Sequence, residues 1–305
     1  MTGWIVVNHF IQTEKFLDIY RLLENAFRER GVITTLKTNA DLLLEINEPL
    51  PKDFRPESDF ILFWDKDVRL AQRWERRGYR LFNRPDAIEA CDDKGLTAIL
   101  LEQTGIAIPK TIVAPLTFPN VGYPDPRFLS RVAERLGFPL VVKESRGSFG
   151  QQVYLIHRYE ELVQKTQTLS SSALIFQEYI ASSFGQDVRI QVIGNRAVAA
   201  VKRIGKPGDF RANVTNGGRM YAFEPTDEMN QIALAAVKNL NLDFAGVDLL
   251  IPEEAAPLLC EVNSNAHFRN LLDATGYDFS RDLAEYIVQT MFERQQQQTL
   301  SVNQR

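Results

Sequence analysis

Asp248, Glu261 and Asn263 lie in the run FAGVDLLIPEEAAPLLCEVNSN and have side chains that could hold a cation. Two apolar stretches, Phe244–Ile251 and Pro257–Val262, flank a Pro/Glu/Ala turn and read as neighbouring strands. A turn centred between Glu254 and Ala255 puts Asp248 opposite Glu261 and Gly246 opposite Asn263. The strand period of two then turns Asn263 to the same face as Glu261, with Gly246 leaving space beside the cluster. Two carboxylates about 4 Å apart repel by about 4 kcal/mol at an effective dielectric of about 20, so the pair calls for a cation. Oxygen ligands and an amide suit a hard ion such as Mg²⁺ or Mn²⁺, completed by water and phosphate oxygens. A protonated carboxylate or a strand-end salt bridge accounts for these residues equally well.

Further groups suit an anion. Lys143 ends the apolar strand PLVVK and precedes the loop Ser145–Gly150, SRGSFG. Glycine-rich loops let backbone N–H groups approach phosphate oxygens. This one lacks the terminal Gly-Lys-Ser/Thr of a Walker A loop, and a strand follows it where that motif needs a helix. On the loop alone, a plain hairpin turn is the simpler reading, but an inward-facing Lys143 favours an anion. Lys94, near a helix start, reads alone as a solvated residue. Gln177-Glu178-Tyr179-Ile180 ends a strand and can offer backbone groups to the edge of an adenine ring. Asp187 and Arg189 share a strand face; the carboxylate suits ribose hydroxyls and the guanidinium suits phosphate or carboxylate. Arg211 and Asn213 are likewise two apart, in the polar loop KPGDFRANVTNGGR. Surface solvation explains each singly and explains the whole series poorly.

The elements that must position these groups form an α/β (α+β) protein of four stretches. Residues 1–90 alternate strands with helical patterns, as in a small open α/β domain. Residues 91–178 hold a helix over Asp92–Thr104, a strand near Thr111, a helix over Arg127–Leu136 and two strands around the glycine loop. Residues 179–294 hold the strand pair with its Gly-Asn turn, the helix Asp227–Leu240, the Asp/Glu strands and two closing helices. The tail 295–305 lacks apolar periodicity and reads as disordered. At 305 residues with 45% hydrophobic and 24% charged residues, the chain can bury a large core. A net charge of −4 with scattered Lys and Arg argues against a nucleic-acid partner. Cys91 and Cys260 are too few for a disulfide framework or a thiolate metal site, and Cys260 reads as a small buried residue. No apolar run reaches the length of a membrane span, and the N-terminus lacks the basic segment of a signal peptide. The expected location is cytoplasmic, with no membrane partner and with room for a homo-oligomer.

In this order the motifs resemble the ATP-grasp superfamily. NRPDAIEACDDK, FQEYI, GDFRAN, AGVDLL and CEVN resemble those of its RimK-like members, the alpha-L-glutamate ligases, from about Asn83 to Gly276. The resemblance implies an ATP-grasp fold, with an N-terminal α/β lobe before two α+β lobes that enclose ATP. It implies that Lys94 and Lys143 contact ATP phosphates, that Glu178 and Tyr179 form the adenine hinge, and that Asp187 holds the ribose. It further implies that Arg211 and Asn213 line the triphosphate site, and that Asp248, Glu261 and Asn263 bind Mg²⁺ or Mn²⁺. The implied activity is ATP-dependent amide bond formation through an acyl phosphate, adding L-glutamate or a similar amino acid to an amine on a small molecule, peptide or protein tail. Arg211, Lys143 and Asn263 would carry the catalysis. A small-molecule kinase transferring phosphate to a hydroxyl is the alternative.

Two segments depart from the family pattern. Asn263-Ser264-Asn265-Ala266-His267-Phe268 stands where many relatives read Asn-x-Ser-Pro-Gly, and Thr215-Asn216-Gly217-Gly218 lacks basic residues often found there. Both would border the substrate carboxylate, and His267, beside Phe268 at a helix start, reads more readily as structural than as an acid/base group. In the first lobe, Trp64-Asp65-Lys66-Asp67 follows a strand end that should face the ligand crevice. Asp65 could orient a cationic acceptor amine with Trp64 as a flat wall, while Asp67 could simply cap the next helix.

Overall fold

A computed structural model describes residues 1–303 apart from 44, 48–53, 148–149, 214–216 and 254. Glu254, Ser148, Phe149, Thr215, Asn216 and the last two residues of the tail therefore lie outside the described residues. The first lobe comprises β1 (Thr2–Val7), α1 (Glu14–Glu29), β2 (Ile33–Thr38), β3 (Phe60–Trp64), α2 (Val68–Arg76) and β4 (Leu81–Phe82). Its parallel sheet has the order β2-β1-β3-β4. Ile5 and Val7 pack towards α1, while Trp4 and Val6 pack towards α2. Burial on both faces explains the unbroken apolar runs WIVV and FILFW. Strand order reverses between β1 and β3, which places a crevice beyond their carboxyl ends, next to Asn8 and Asp65.

The helix expected over 92–104 is α4 (Lys94–Leu101), and a separate helix, α3 (Pro85–Asp92), precedes it. Asp93 separates them because its extended backbone lets its carboxylate cap α4 by accepting from Leu96 N. The second sheet contains β5 (Thr111–Val113), β6 (Leu140–Glu144), β7 (Val153–Ile156) and β8 (Leu174–Glu178). It is antiparallel with the order β5-β8-β6-β7. The helices α5 (Phe128–Leu136) and α6 (Tyr159–Thr168) cover Leu140, Val142 and Phe176 on one face. Alternation sends Lys143 and Gln177 to the other.

The third sheet holds β9 (Gln186–Ile193), β10 (Arg196–Ile204), β11 (Arg219–Ala222), β12 (Phe244–Leu250) and β13 (Leu258–Asn263). Its order is β11-β10-β9-β12-β13, antiparallel throughout. Val188, Ile190, Val192, Ala245, Val247 and Leu249 bury one face under α7 (Asp227–Asn239). At one end of the other face, Ile193 and Phe244 share a core with Ile5, Leu23 and Phe60 of the first lobe. The closing helices α8 (Arg269–Thr275) and α9 (Phe279–Asn303) join this core through Leu271 and Leu283. The first and last lobes thus share one core. The helix α9 also overrides the disordered tail expected from residue 295, since it runs to Asn303. Residues 292–297 are exposed, but Gln, Glu and Arg are good helix formers and carry the helix past its last apolar contact at Met291.

Candidate active site

The polar face of the third sheet is a ladder of facing charges. Asp248 pairs in register with Glu261 and Gly246 with Asn263, the pairing expected for a turn centred between Glu254 and Ala255. On the other side of β12, Asp248 lies against Arg189 and Gly246 against Gln191. The Arg189 guanidinium donates to both Asp248 oxygens at 2.6 and 2.7 Å. Arg203 donates to Asp248 at 2.7 Å and to both Asp187 oxygens at 2.6 and 2.5 Å. Burial pushes the Asp248 carboxyl up, and the two guanidiniums more than offset it, holding it below the usual carboxylate range. The repulsion expected between Asp248 and Glu261 is therefore relieved largely by arginines. The space expected beside Gly246 is filled too, because a Cβ there would lie 2.4 Å from the Ala266 Cβ and 3.4 Å from Arg189 Cδ.

Across the cleft, two lysines approach this ladder from different elements. Lys94 opens α4 and places Nζ 3.5 Å from Glu261 Oε1 and 3.3 Å from the Gly147 carbonyl it donates to. Its backbone N–H donates to Ser145 O at 2.9 Å, tying the helix start to the glycine loop. Lys143, only 8% exposed, donates to Gln177 Oε1 at 2.6 Å and lies 3.8 Å from Cys260 Sγ. Lys94, Lys143, Gln177, Cys260 and Glu261 line one cleft between the second and third sheets. Cys260 reaches it because the β12–β13 pairing slips by one residue between Asp248 and Leu249, leaving Cys260 as the extra residue of a bulge.

Arg211 projects from the loop after β10 towards the glycine loop. It donates to Gly150 O at 2.7 Å and is held by both Asp209 oxygens at 2.9 Å. Asn213 lies alongside, its Nδ2 3.2 Å from where a Cβ on Gly150 would sit. The loop fits closely because Gly205 has no side chain; a Cβ there would stand 2.1 Å from Arg211 O. Among the described residues, none of the hydrogen bonds of Arg211 reaches the Asp/Glu/Asn set.

Residues 91–287 match the sequence profile of the RimK-like ATP-grasp domain. The chain belongs to the RimK-like ATP-grasp family. Human N-acetylaspartylglutamate synthase A is 30% identical over 232 residues, which cover 76% of this chain and 58% of that protein. A probable alpha-L-glutamate ligase of Parasynechococcus marenigrum (strain WH8102) is 31% identical over 252 residues, 82% of this chain and 50% of that protein. The chain thus matches little more than half the length of these two relatives. The ATP-grasp ligase PsnB, solved with a phosphomimetic variant of a minimal precursor, Mg and ADP, superposes with a TM-score of 0.68 at 17% identity. That likeness covers 94% of this chain and 97% of PsnB, and it shows the ATP-grasp fold.

In this RimK-like chain the residues at the end of β8 stand apart from the lysine cleft. The Glu178 carboxylate accepts from Lys110 N at 2.7 Å, and the Glu178 N–H donates to Lys110 O at 2.9 Å. The Tyr179 ring meets Phe210 edge-on at 6.4 Å. Asp187 is committed to Arg203, a residue that its position on β10 did not single out. Among the described residues no three His, Cys, Asp or Glu side chains gather as a metal site. Asp248, Glu261 and Asn263 nevertheless fit a hard divalent ion. Among the described residues, Asp248 Oδ2 accepts from Arg189, Arg203 and Asn263, whereas Oδ1 accepts only from Arg189 and keeps a lone pair for a metal. Such an ion keeps few protein ligands when phosphates complete its shell.

At the first lobe, Asn8 Nδ2 donates to both Asp65 oxygens at 3.2 and 3.3 Å. Asn265 Nδ2 donates to Asp65 O at 2.9 Å, so the departing segment after β13 closes onto the crevice between β1 and β3. Asp67 caps α2 by accepting from Leu70 N at 3.0 Å. Trp64 is no open wall, since it stacks on Phe244 at 5.5 Å and 7° inside the shared core. His267 meets Phe16 edge-on at 4.9 Å, and burial, with Lys15, Arg189 and Arg269 nearby, holds its imidazole down at about 4. No helix among the described residues is long and apolar enough to cross a membrane.

Proposed function

We propose that this chain is an ATP-dependent carboxylate–amine ligase that joins an amino acid such as L-glutamate to an amine acceptor. The observation that carries the reading is the meeting of Lys94, Lys143 and Glu261 in one cleft, from three elements of two lobes, beside a glycine loop. In this reading Lys94 and Lys143 hold the phosphates, the strand end at Glu178 and Tyr179 serves adenine, and Asp187 serves the ribose. Mg²⁺ or Mn²⁺ held by Asp248, Glu261 and Asn263 supplies charge neutralisation when bound. Arg211 and Asn213, which reach the glycine loop, line the far end of the phosphates.

A carboxylate is a poor electrophile, and phosphorylation repairs that. The substrate carboxylate oxygen bonds to the γ-phosphorus of ATP and ADP leaves, giving an acyl phosphate. The amine nitrogen then bonds to the acyl carbon, phosphate leaves, and the amine proton passes to phosphate or water. Fixed donors at the places where charge develops do most of the work. Arg211 and Lys143 meet the transferring phosphoryl group, and Asn263 orients the phosphate side of the site. The glycine loop, joined to Arg211 through Gly150, is placed to shield the acyl phosphate from water.

Similarity to an N-acetylaspartylglutamate synthase and to a probable alpha-L-glutamate ligase supports glutamate as the added acid, while PsnB has been solved with a precursor peptide. The acceptor is therefore an amine of a small molecule, a peptide or a protein tail. The test is incubation with ATP, Mg²⁺ and an amino-acid panel, read by phosphate release and mass spectrometry. An amide product with free phosphate is expected. A stable phosphoester without free phosphate would replace the ligase with a kinase.

A further inference from the structure

We infer that Asn83 is a positioning residue for the metal edge of the site: its buried carboxamide holds the end of β13 so that Asn263 stays beside Asp248. The inference rests on the metal role proposed above for Asp248, Glu261 and Asn263. Asn83 is 0% exposed and belongs to the segment between β4 and α3, outside the ladder it serves.

Its amide spans the roots of both metal strands. Oδ1 accepts from Asp243 N at 2.7 Å and from Phe244 N at 3.2 Å. Nδ2 donates to Phe244 O at 2.9 Å and to Ser264 O at 2.9 Å. Two lone pairs and two N–H groups are all an amide has, and each is used. No other side chain of this size supplies two donors and two acceptors in one plane.

The position of these bonds decides what they control. Gly246↔Asn263 is the last pair of the β12–β13 ladder. One residue later, Ser264 O turns to Asn83, so the carboxamide stands in for the next rung. Beyond that point the chain leaves the sheet and Asn265 reaches Asp65 O. The two strands differ in how else they are held. The strand β12 is paired with β9 all along, including Phe244↔Ile193, so Asp248 keeps its register without Asn83. By contrast, β13 is an edge strand with β12 alone as its neighbour in the sheet. Loss of the Ser264 contact therefore loosens the end of β13 selectively. Asn263 is the adjacent residue, and its Nδ2 lies 3.4 Å from Asp248 Oδ2.

Asn83→Asp is the sharper variant, because it keeps an acceptor for the two N–H groups and sets a carboxylate against two carbonyl oxygens. Asn83→Ala removes all four bonds. Mn²⁺ affinity would be followed by electron paramagnetic resonance with ADP bound, ADP affinity by calorimetry in chelator, and folding by circular dichroism. Loss of a partner bonded directly to a metal ligand weakens metal binding by about 10–100-fold; Asn83 acts one residue further out, through Ser264, so a loss of about 10-fold, the low end of that range, is expected for Mn²⁺, with metal-free ADP affinity held. A purely structural residue would lower the melting temperature and leave Mn²⁺ affinity in place. Unchanged Mn²⁺ affinity in a folded variant overturns the inference. Failure of both variants to fold does so as well, since the amide would then be required by the fold as a whole. Asn263→Ala separates the two levels: if it leaves Mn²⁺ affinity intact, the metal reading fails and takes this inference with it. If Asn263→Ala weakens Mn²⁺ binding while the Asn83 variants do not, this inference fails alone.

Discussion

Asp248 and Glu261 face one another across two antiparallel strands, yet each carboxylate is met by cations of a different lobe. Arg189 and Arg203 hold Asp248 from within its own sheet, whereas Lys94 approaches Glu261 from α4. Asp248 is 3% exposed and Glu261 remains open to the cleft. The same pair thus has an anchored half and an accessible half, and substitutions should report on the two differently.

Glu261→Gln keeps the shape and removes an accessible charge, so metal-dependent ATP turnover should fall to near background with little change in melting temperature. Asp248→Asn should lose turnover and stability together, because it leaves two buried guanidiniums short of a charge. Breaking a buried pair by removing one partner costs on the order of 3–5 kcal/mol. Full metal-dependent turnover in both variants would remove these residues from the metal site.

Lys143 tests the phosphate reading. It is buried beside Gln177 and hydrogen-bonds no carboxylate among the described residues, and a buried ammonium in a cleft is an anion site in waiting. Lys143→Ala should weaken nucleotide binding and slow turnover by about 10²–10³, the range for losing one preorganised donor. An unchanged ATP affinity and rate, measured by calorimetry and phosphate release, would move the nucleotide elsewhere.

The facing of Asp248 and Glu261 was legible from the position of the turn and the strand period, whereas the bulge that leaves Cys260 unpaired between Asp248 and Leu249 was not. Arg203 was not legible either. Counting back from the turn after Ile193 pairs Arg196 with Ile193 and would bring Lys202 opposite Asp187. A bulge between Ala197 and Ala199 shifts the register by one and puts Arg203 there instead. Asn83 escaped notice because its partners lie about 160 residues away and are backbone atoms, which no side-chain pattern reveals. Many of the strands and helices were legible from periodicity, but the core shared by the first and last lobes was not, since periodicity says nothing of which faces meet.

Asp65 and Asp67 should separate by measurement. Asp67→Asn keeps a side chain that caps about as well, whereas Asp67→Ala removes the cap at a cost of about 1 kcal/mol; in the alanine variant the melting temperature should fall while the acceptor Michaelis constant stays put. Asp65 lies at the crevice with Asn8 and beneath Asn265. Asp65→Asn should raise the acceptor constant and leave ATP affinity alone. An unchanged acceptor constant in both variants ends the acceptor role.

His267 predicts a pH dependence of stability. An imidazole in the unfolded chain titrates near about 6.5, whereas burial first, and then Lys15, Arg189 and Arg269, hold His267 down at about 4 in the fold. Between these values the unfolded chain binds a proton that the folded chain refuses. Stability therefore falls as pH drops from about 6.5 towards about 4, and this contribution changes no further below that. The groups facing the ring explain why relief is absent: Phe16 packs against it, and Nε2 has no hydrogen-bond partner among the described residues. His267→Gln removes the titration and keeps a polar group of similar length. Carboxylates also titrate in this range, so the readout is the difference in melting temperature between wild type and variant across pH 6.5 to about 4. That difference should shift steadily in favour of the variant as pH falls. Parallel curves would mean that the imidazole is protonated inside the fold, and the neutral, buried His267 described here would be wrong.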